Sequence, residues 1–173
     1  MIEGTDVRLR PWRNEDLAML TELRNDILVQ AQLLARPRGS RPEEVLCWLQ
    51  SQNEQMNRLF FIIASRENDQ VVGFIQITDL DHIDGHANLG ICLISQARGR
   101  GIGSQAIALV IDYLRDHWRL RKLYLRVRAD NTAAIRCYEK VGFERCGLLR
   151  QHCFHEGRWL DVVLMERFLM VAV

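Results

Sequence analysis

The sequence predicts an α/β fold with a mixed, mostly antiparallel central sheet flanked by helices, in the order βααβββαβαββ. Three observations carry this expectation. Apolar or β-branched runs bounded by turn residues recur at 59–65, 71–78, 87–95 and 123–127. Segments with apolar residues at helical spacing stand among them, opened by Asn14, Ser40 and Asn131 as capping residues. The stretch Arg98-Gly99-Arg100-Gly101-Ile102-Gly103-Ser104 divides the run at 87–95 from a long amphipathic pattern, so one crossover passes through a glycine-led helix.

Taken in order, Val7 to Arg10 alternates and reads as a short strand. Asn14 caps a helix carrying Leu17, Leu20 and Leu23 that ends near Arg24. Residues 35–41, rich in proline, glycine and arginine, form a loop. Ser40 with Glu43 makes a capping box, and Pro42 suits the first turn of a helix bearing Val45, Leu46 and Leu49. The strands at 59–65 and 71–78 are joined by the turn RENDQ, and 87–95 is a further strand. The glycine-led helix places Ile102, Ala106, Leu109, Val110 and Tyr113 on one face. A strand at 123–127 and a helix at 131–140 follow, the helix stopped by Gly142. Segments 144–155 and 159–168 read as two strands joined by the turn HEGR.

The 173 residues fit one domain, 1–173, long enough to bury a core. A formal net charge of +1 supplies no global field to recruit nucleic acid or a membrane surface. No apolar run approaches a bilayer span, and the N-terminus lacks the apolar segment of a secretory signal. A cytoplasmic protein with no nucleic-acid or membrane partner is the expectation. The five cysteines are odd in number and include no C-x-x-C pair, so free thiols are expected. His152, Cys153 and His155 lie close in sequence but lack a second ligand cluster, and no metal is expected.

The glycine stretch admits several readings. A Walker loop needs a lysine before Ser104, and a dinucleotide fingerprint needs glycine or alanine where Ser104 stands. The glycines could serve helix packing alone. They could also cradle a pyrophosphate. The first N–H groups of a helix have no intrahelical partner, and glycine lets several converge on phosphate oxygens while Arg98 and Arg100 add charge.

A second constellation, ADNTAAIRCYEKVGF, places Asn131, Ala134, Tyr138, Lys140, Gly142 and Phe143 on and after one short helix. With the glycine loop upstream, it resembles the GNAT family of acetyl-CoA-dependent N-acetyltransferases. The family loop, [QR]-x-x-G-x-[GA], is matched by Arg98, Gly101 and Gly103, and also two residues earlier by Gln96, Gly99 and Gly101. The resemblance spans nearly the whole chain, and its specific part runs from Ala87 to Phe143. In layout the chain is similar to the ribosomal-protein, spermidine and nucleotide-amino-sugar N-acetyltransferases.

The resemblance implies acetyl-CoA as co-substrate and splayed strands at its site. Backbone groups of Ile91, Cys92 and Leu93 would bond the pantetheine arm as an added strand. Arg98, Gly99, Arg100, Gly101, Ile102, Gly103 and Ser104 would hold the pyrophosphate. Asn131 would touch the amide arm, cap its helix, or do both. Tyr138 would protonate the leaving thiolate as general acid. A backbone N–H near Leu93 would steady the oxyanion. Two positions where relatives carry a glutamate base hold Arg126 and Asn88 here. Asp79, Asp81, His82, Asp84 and His86 either supply a base through water or form a solvated turn. The acceptor is expected to be a small primary amine. An amino sugar is placed first because Arg36, Arg38 and Arg41 would attract a phosphate-bearing acceptor. Peptide N-termini come second and polyamines third. A non-catalytic acetyl-CoA-binding domain remains the alternative. An exposed final strand and the tail FLMVAV would permit a homodimer.

Overall fold

The chain opens with β1 (Ile2–Glu3) and β2 (Val7–Arg10), then three helices, α1 (Leu17–Asn25), α2 (Ile27–Gln32) and α3 (Pro42–Glu54). β3 (Leu59–Ser65), β4 (Val71–Asp81) and β5 (His86–Leu93) lead into α4 (Ile102–Trp118), β6 (Lys122–Arg128) and α5 (Thr132–Lys140). The hairpin of β7 (Glu144–His155) and β8 (Arg158–Phe168) completes the order. This computed structural model describes residues 1–36 and 38–169. None of its helices is long and apolar enough to cross a membrane.

Eight strands form one sheet in the order β1-β2-β3-β4-β5-β6-β8-β7. Among the described residues only β5 and β6 pair in parallel, joined by the crossover through α4. Strand alternation sends odd-numbered side chains of β3, β5, β6 and the middle of β4 to one face and even-numbered ones to the other, while register shifts at the ends of β4 reverse it for Val71, Val72 and Leu80. Ile63, Ile75, Leu89, Leu123 and Leu125 pack with Ala106, Ile107, Val110 and Leu114 of α4 and Ile135 of α5. Phe60, Ile62, Phe74 and Cys92 pack with Leu20 and Leu23 of α1, Val29 of α2, and Val45 and Leu49 of α3. Each such side chain, fully buried, contributes about 1.5–3 kcal/mol.

The α1 end is fixed by a buried ion pair. Arg10 and Asp16 are 2% and 3% exposed, and two guanidinium nitrogens donate to the carboxylate at 2.8 and 2.9 Å. Asp16 also accepts the Arg13 N–H at 2.7 Å. That engagement starts a short 3-10 turn at Asn14 and the α-helix only at Leu17, later than the expected Asn14 cap.

Four further expectations are corrected. The helix α2 falls where no element was expected; Asp26 caps it by accepting from Leu28 and Val29 at 2.9 and 3.0 Å. α3 is capped at Arg41, whose N–H donates to the Glu44 carboxylate at 2.8 Å and whose C=O accepts the Glu44 N–H at 3.0 Å, in place of a capping box of Ser40 with Glu43. Ser40 is engaged elsewhere, its N–H and C=O bonded to the Asn25 side chain at 2.8 and 2.9 Å. The fifth strand ends at Leu93, and Ser95–Ala97 is a 3-10 turn. The final strand is interior: β8 lies between β6 and β7, and β7 is the edge. β8 carries the buried Val162, Val163 and Met165, whereas no residue of β7 is buried, so the apolar strand takes the inner place. Residues 170–173 of the tail lie outside the described residues.

Candidate active site

The parallel pairing of β5 with β6 is short. It joins His86 to Lys122, Ala87 to Leu123 and Asn88 to Tyr124, and then the strands part. Gly85 C=O accepts from Lys122 on the β6 side, while Ile94 N–H donates to Val72 on the β4 side. By alternation, Ile91 and Leu93 direct their N–H and C=O into the gap. Cys92 does not. Its backbone is turned to β4, so close that a Cβ on Gly73 would stand 2.1 Å from the Cys92 carbonyl oxygen. The expectation that all three residues offer backbone groups is therefore corrected to Ile91 and Leu93.

Arg98 is a brace. Its Nε and Nη2 donate to the Leu93 carbonyl at 3.1 and 3.0 Å. Splaying deprives that carbonyl of a strand partner, and the guanidinium fork supplies one. This task comes in addition to the phosphate contact expected of Arg98, which lines the cavity of the site. Leu93 N–H and both backbone groups of Ile91 remain open to the gap.

Gly99 and Gly101 have φ of +71° and +81°, the left-handed region that glycine adopts without strain, and a Cβ on either would meet nothing within 4 Å. The first helical bond of α4 runs from Gln105 N–H to Gly101 C=O, so the N–H groups of Ile102, Gly103 and Ser104 have no helical acceptor. Gly103 has a packing reason instead, since its Cβ would lie 3.3 Å from Cys137 Sγ. Arg100 is exposed and does not line the cavity described below. Ile102 packs half-buried on the core and offers only its N–H.

α5 is capped by Asn131, whose Oδ1 accepts from Ala134 at 3.2 Å, leaving the amide nitrogen for another acceptor. Its apolar face buries Ile135 and Tyr138. Tyr138 is 7% exposed and packs edge-on to Phe143. Burial, and then the nearby Cys137 and Cys92 thiols, push the Tyr138 phenol well above its usual value, so it keeps its proton. Burial likewise raises the Cys92 thiol to about 12.

A cavity of about 570 Å³ joins these groups through the splay. On the α4 and α5 side it is lined by Ile91, Leu93, Ser104, Asn131, Cys137 and Tyr138. On the α2 side Val29, Gln32, Leu33, Gln76, Asn88 and Arg126 line it. Four cations, Arg98, Arg126, Arg136 and Lys140, border the cavity, and no carboxylate does among the described residues. Arg136 was missed in the sequence, and Lys140 was named only as part of the α5 motif; their spacing of four on α5 is the signal that places both on one face. The α2 wall was missed with α2 itself.

The acidic turn does not reach this cavity. Asp81 Oδ1 accepts the Ile83 and Asp84 N–H groups at 2.8 and 2.9 Å. Those bonds, Asp84 first, hold the Asp81 carboxyl below its usual range. His82 stacks on Trp118. His86 opens β5, about 16 Å of strand before Ile91. Of the expected alternatives, the solvated turn is the one these bonds describe. Arg36 and Arg38 are exposed, Arg41 pairs with Glu44 at 3.5 Å, and none of the three lines the cavity.

Comparison with known proteins bears on the same region. The family described as acetyltransferase (GNAT) domain matches residues 6–144. The spermidine N(1)-acetyltransferase of Escherichia coli (strain K12) is 28% identical over 165 residues, covering 95% of this chain and 87% of that protein. The phosphinothricin N-acetyltransferase of Streptomyces coelicolor is 27% identical over 165 residues, covering 94% and 96%. The solved spermidine N-acetyltransferase from Vibrio cholerae in complex with CoA and spermine has a TM-score of 0.88 at 22% identity, covering 96% of this chain and 97% of that one. That last likeness is one of fold.

Proposed function

The chain belongs to the GNAT acetyltransferase family and is an acetyl-CoA-dependent N-acetyltransferase, and on that premise we propose that it acetylates the primary amine of a small molecule within the cavity that crosses the sheet. One observation carries the reading: the same cavity touches the α4 N-terminus, the open edge of β5 and the Tyr138 phenol.

Acetyl-CoA supplies an acetyl group activated as a thioester, carried on an arm that ends in a diphosphate. The donors present suit that molecule. Free N–H groups at Ile102, Gly103 and Ser104 lie at the positive end of a 17-residue helix, and Arg136 and Lys140 add charge. Leu93 N–H, the Ile91 backbone and the Asn131 amide nitrogen are the partners for amides of the arm. Asn88 Nδ2 donates to Thr78 Oγ1 at 3.0 Å, which leaves Asn88 Oδ1 to accept an N–H of the amine.

In the transfer an amine N–H and a thioester C–S bond are exchanged for an amide C–N bond and a thiol S–H. Tyr138 gives its proton to the departing sulfur, and the proton lost by nitrogen restores the balance. Burial keeps Cys92 a neutral thiol in the wall, and the reading takes the acetyl group directly from sulfur to the amine.

The relatives support a polyamine acceptor better than the amino sugar placed first on the sequence. Their names also include phosphinothricin, so the common feature is a small amine rather than one structure. The test is release of free CoA thiol from acetyl-CoA in the presence of spermidine, glucosamine and α-amino acids. Thiol release that depends on one of these amines is expected. Thermal stabilisation by acetyl-CoA with no thiol released by any amine would instead describe an idle binding domain.

A further inference from the structure

We propose that the preferred acceptor is a primary amine that also carries an anionic group, carboxylate or phosphate, and that Arg126 holds that group. The proposal rests on the cavity being the acceptor site. It departs from the polyamine named for the spermidine N-acetyltransferases, while other relatives are named for phosphinothricin and L-amino acids.

The even-numbered side chains of β5, β6 and the middle of β4 face α1 to α3, so the wall opposite the cofactor loop is made by Gln32, Gln76, Asn88 and Arg126 with apolar Val29 and Leu33. Arg126 is the cation of that wall. It stands two residues beyond Tyr124, the last β6 residue paired to β5, at the mouth of the splay. Arg128, the next residue on the same face, is neutralised by a bidentate pair with Asp130 at 2.9 and 2.7 Å. No lining carboxylate does this for Arg126 among the described residues. Asp79, which acts on the Tyr124 phenol from the irregular end of β4, accepts from Thr78 Oγ1 at 3.2 Å and is not part of the lining. Asp79 and Arg126 act oppositely on Tyr124: burial and then Asp79 push that phenol up, while Arg126 pulls it down.

A polycation entering this wall meets a guanidinium and neutral amides, with no countercharge to offset its desolvation. A carboxylate or phosphate meets a planar fork suited to bidentate pairing. The guanidinium so paired positions the amine, and the proton the amine sheds goes to water, since no carboxylate lines the cavity among the described residues. Asn88 Oδ1 can accept from the neutral amine equally well.

Charge twins test the proposal by thiol release: glycine against glycinamide, O-phosphoethanolamine against ethanolamine, and spermidine. The anionic member of at least one pair is expected to exceed its twin and spermidine about tenfold in kcat/KM. The pair that shows the gap identifies carboxylate or phosphate. Arg126→Gln should erase the gap, and Arg126→Glu should move the preference to spermidine. Spermidine as the best acceptor of the wild type, or a gap unchanged in Arg126→Gln, would overturn the proposal while leaving N-acetyltransferase activity standing. Failure of every amine would overturn the proposal and the function beneath it.

Discussion

Tyr138→Phe is expected to lower kcat about a hundredfold or more, with acetyl-CoA affinity nearly unchanged. The substitution removes one oxygen and keeps the ring, so the edge-on packing against Phe143 survives. What is lost is the proton delivered to sulfur. Burial keeps that proton in place through neutral pH, which is what a general acid needs before the bond breaks. The shift also has a sign in stability. A phenol whose folded value is raised contributes stability that is intact below its unfolded value near 10 and is lost as pH rises above it. The wild type should therefore lose more stability than Tyr138→Phe on moving above pH 10, read by thermal unfolding. Steady-state kinetics and calorimetric titration with acetyl-CoA check the first part. A kcat within a few-fold of wild type would remove Tyr138 from the chemistry.

Arg10→Met should destabilise the fold by about 3–5 kcal/mol, because it leaves the Asp16 carboxylate buried without its counter-ion. Arg10 also donates to Asp69 Oδ1 at 3.2 Å and to the Pro11 and Asp69 carbonyls, so several acceptors are orphaned together. For a chain of this length the loss corresponds to a fall in Tm of about 6–20 °C. Arg13→Met is the control. Its guanidinium pairs with Asp69 at 2.6 Å, but its side chain is 49% exposed, and such pairs are worth about 1 kcal/mol or less. Arg10→Met as stable as wild type would mean that the pair does not anchor α1. The site would feel the loss, because α1 leads directly into α2 and its Val29 and Gln32 wall.

The strands, the crossover and both helices of the cofactor side were legible because their periods are strong. The run at 87–95 and the amphipathic α4 flank three glycines, and only a tight turn into a helix reconciles that pattern. Tyr138 and Asn131 were legible through family likeness, and the structure brings both to the lining of one cavity. α2 was not. Six residues give less than two turns of period, and its one signal was Asp26 two and three residues before the N–H groups it caps. The bond of Arg98 to Leu93 was not legible because sequence shows a cation beside glycines but not the carbonyl that splaying leaves without a partner. Cys92 was misread because one residue of strand register decides which neighbour a backbone faces. The order of β7 and β8 was misread because chain order does not reveal which strand of a hairpin docks inward. Arg126 was seen only as a missing glutamate. Its environment, a wall of amides without an acid, exists only once β4, β5, β6 and α2 are assembled.

A crystal structure of this chain with coenzyme A tests the central claim most directly. The account predicts the diphosphate against the N–H groups at the start of α4, the arm bonded to Ile91 and Leu93, and the sulfur in the splay within reach of the Tyr138 hydroxyl. An arm lying outside the gap between β5 and β6, or a sulfur remote from that hydroxyl, would contradict it.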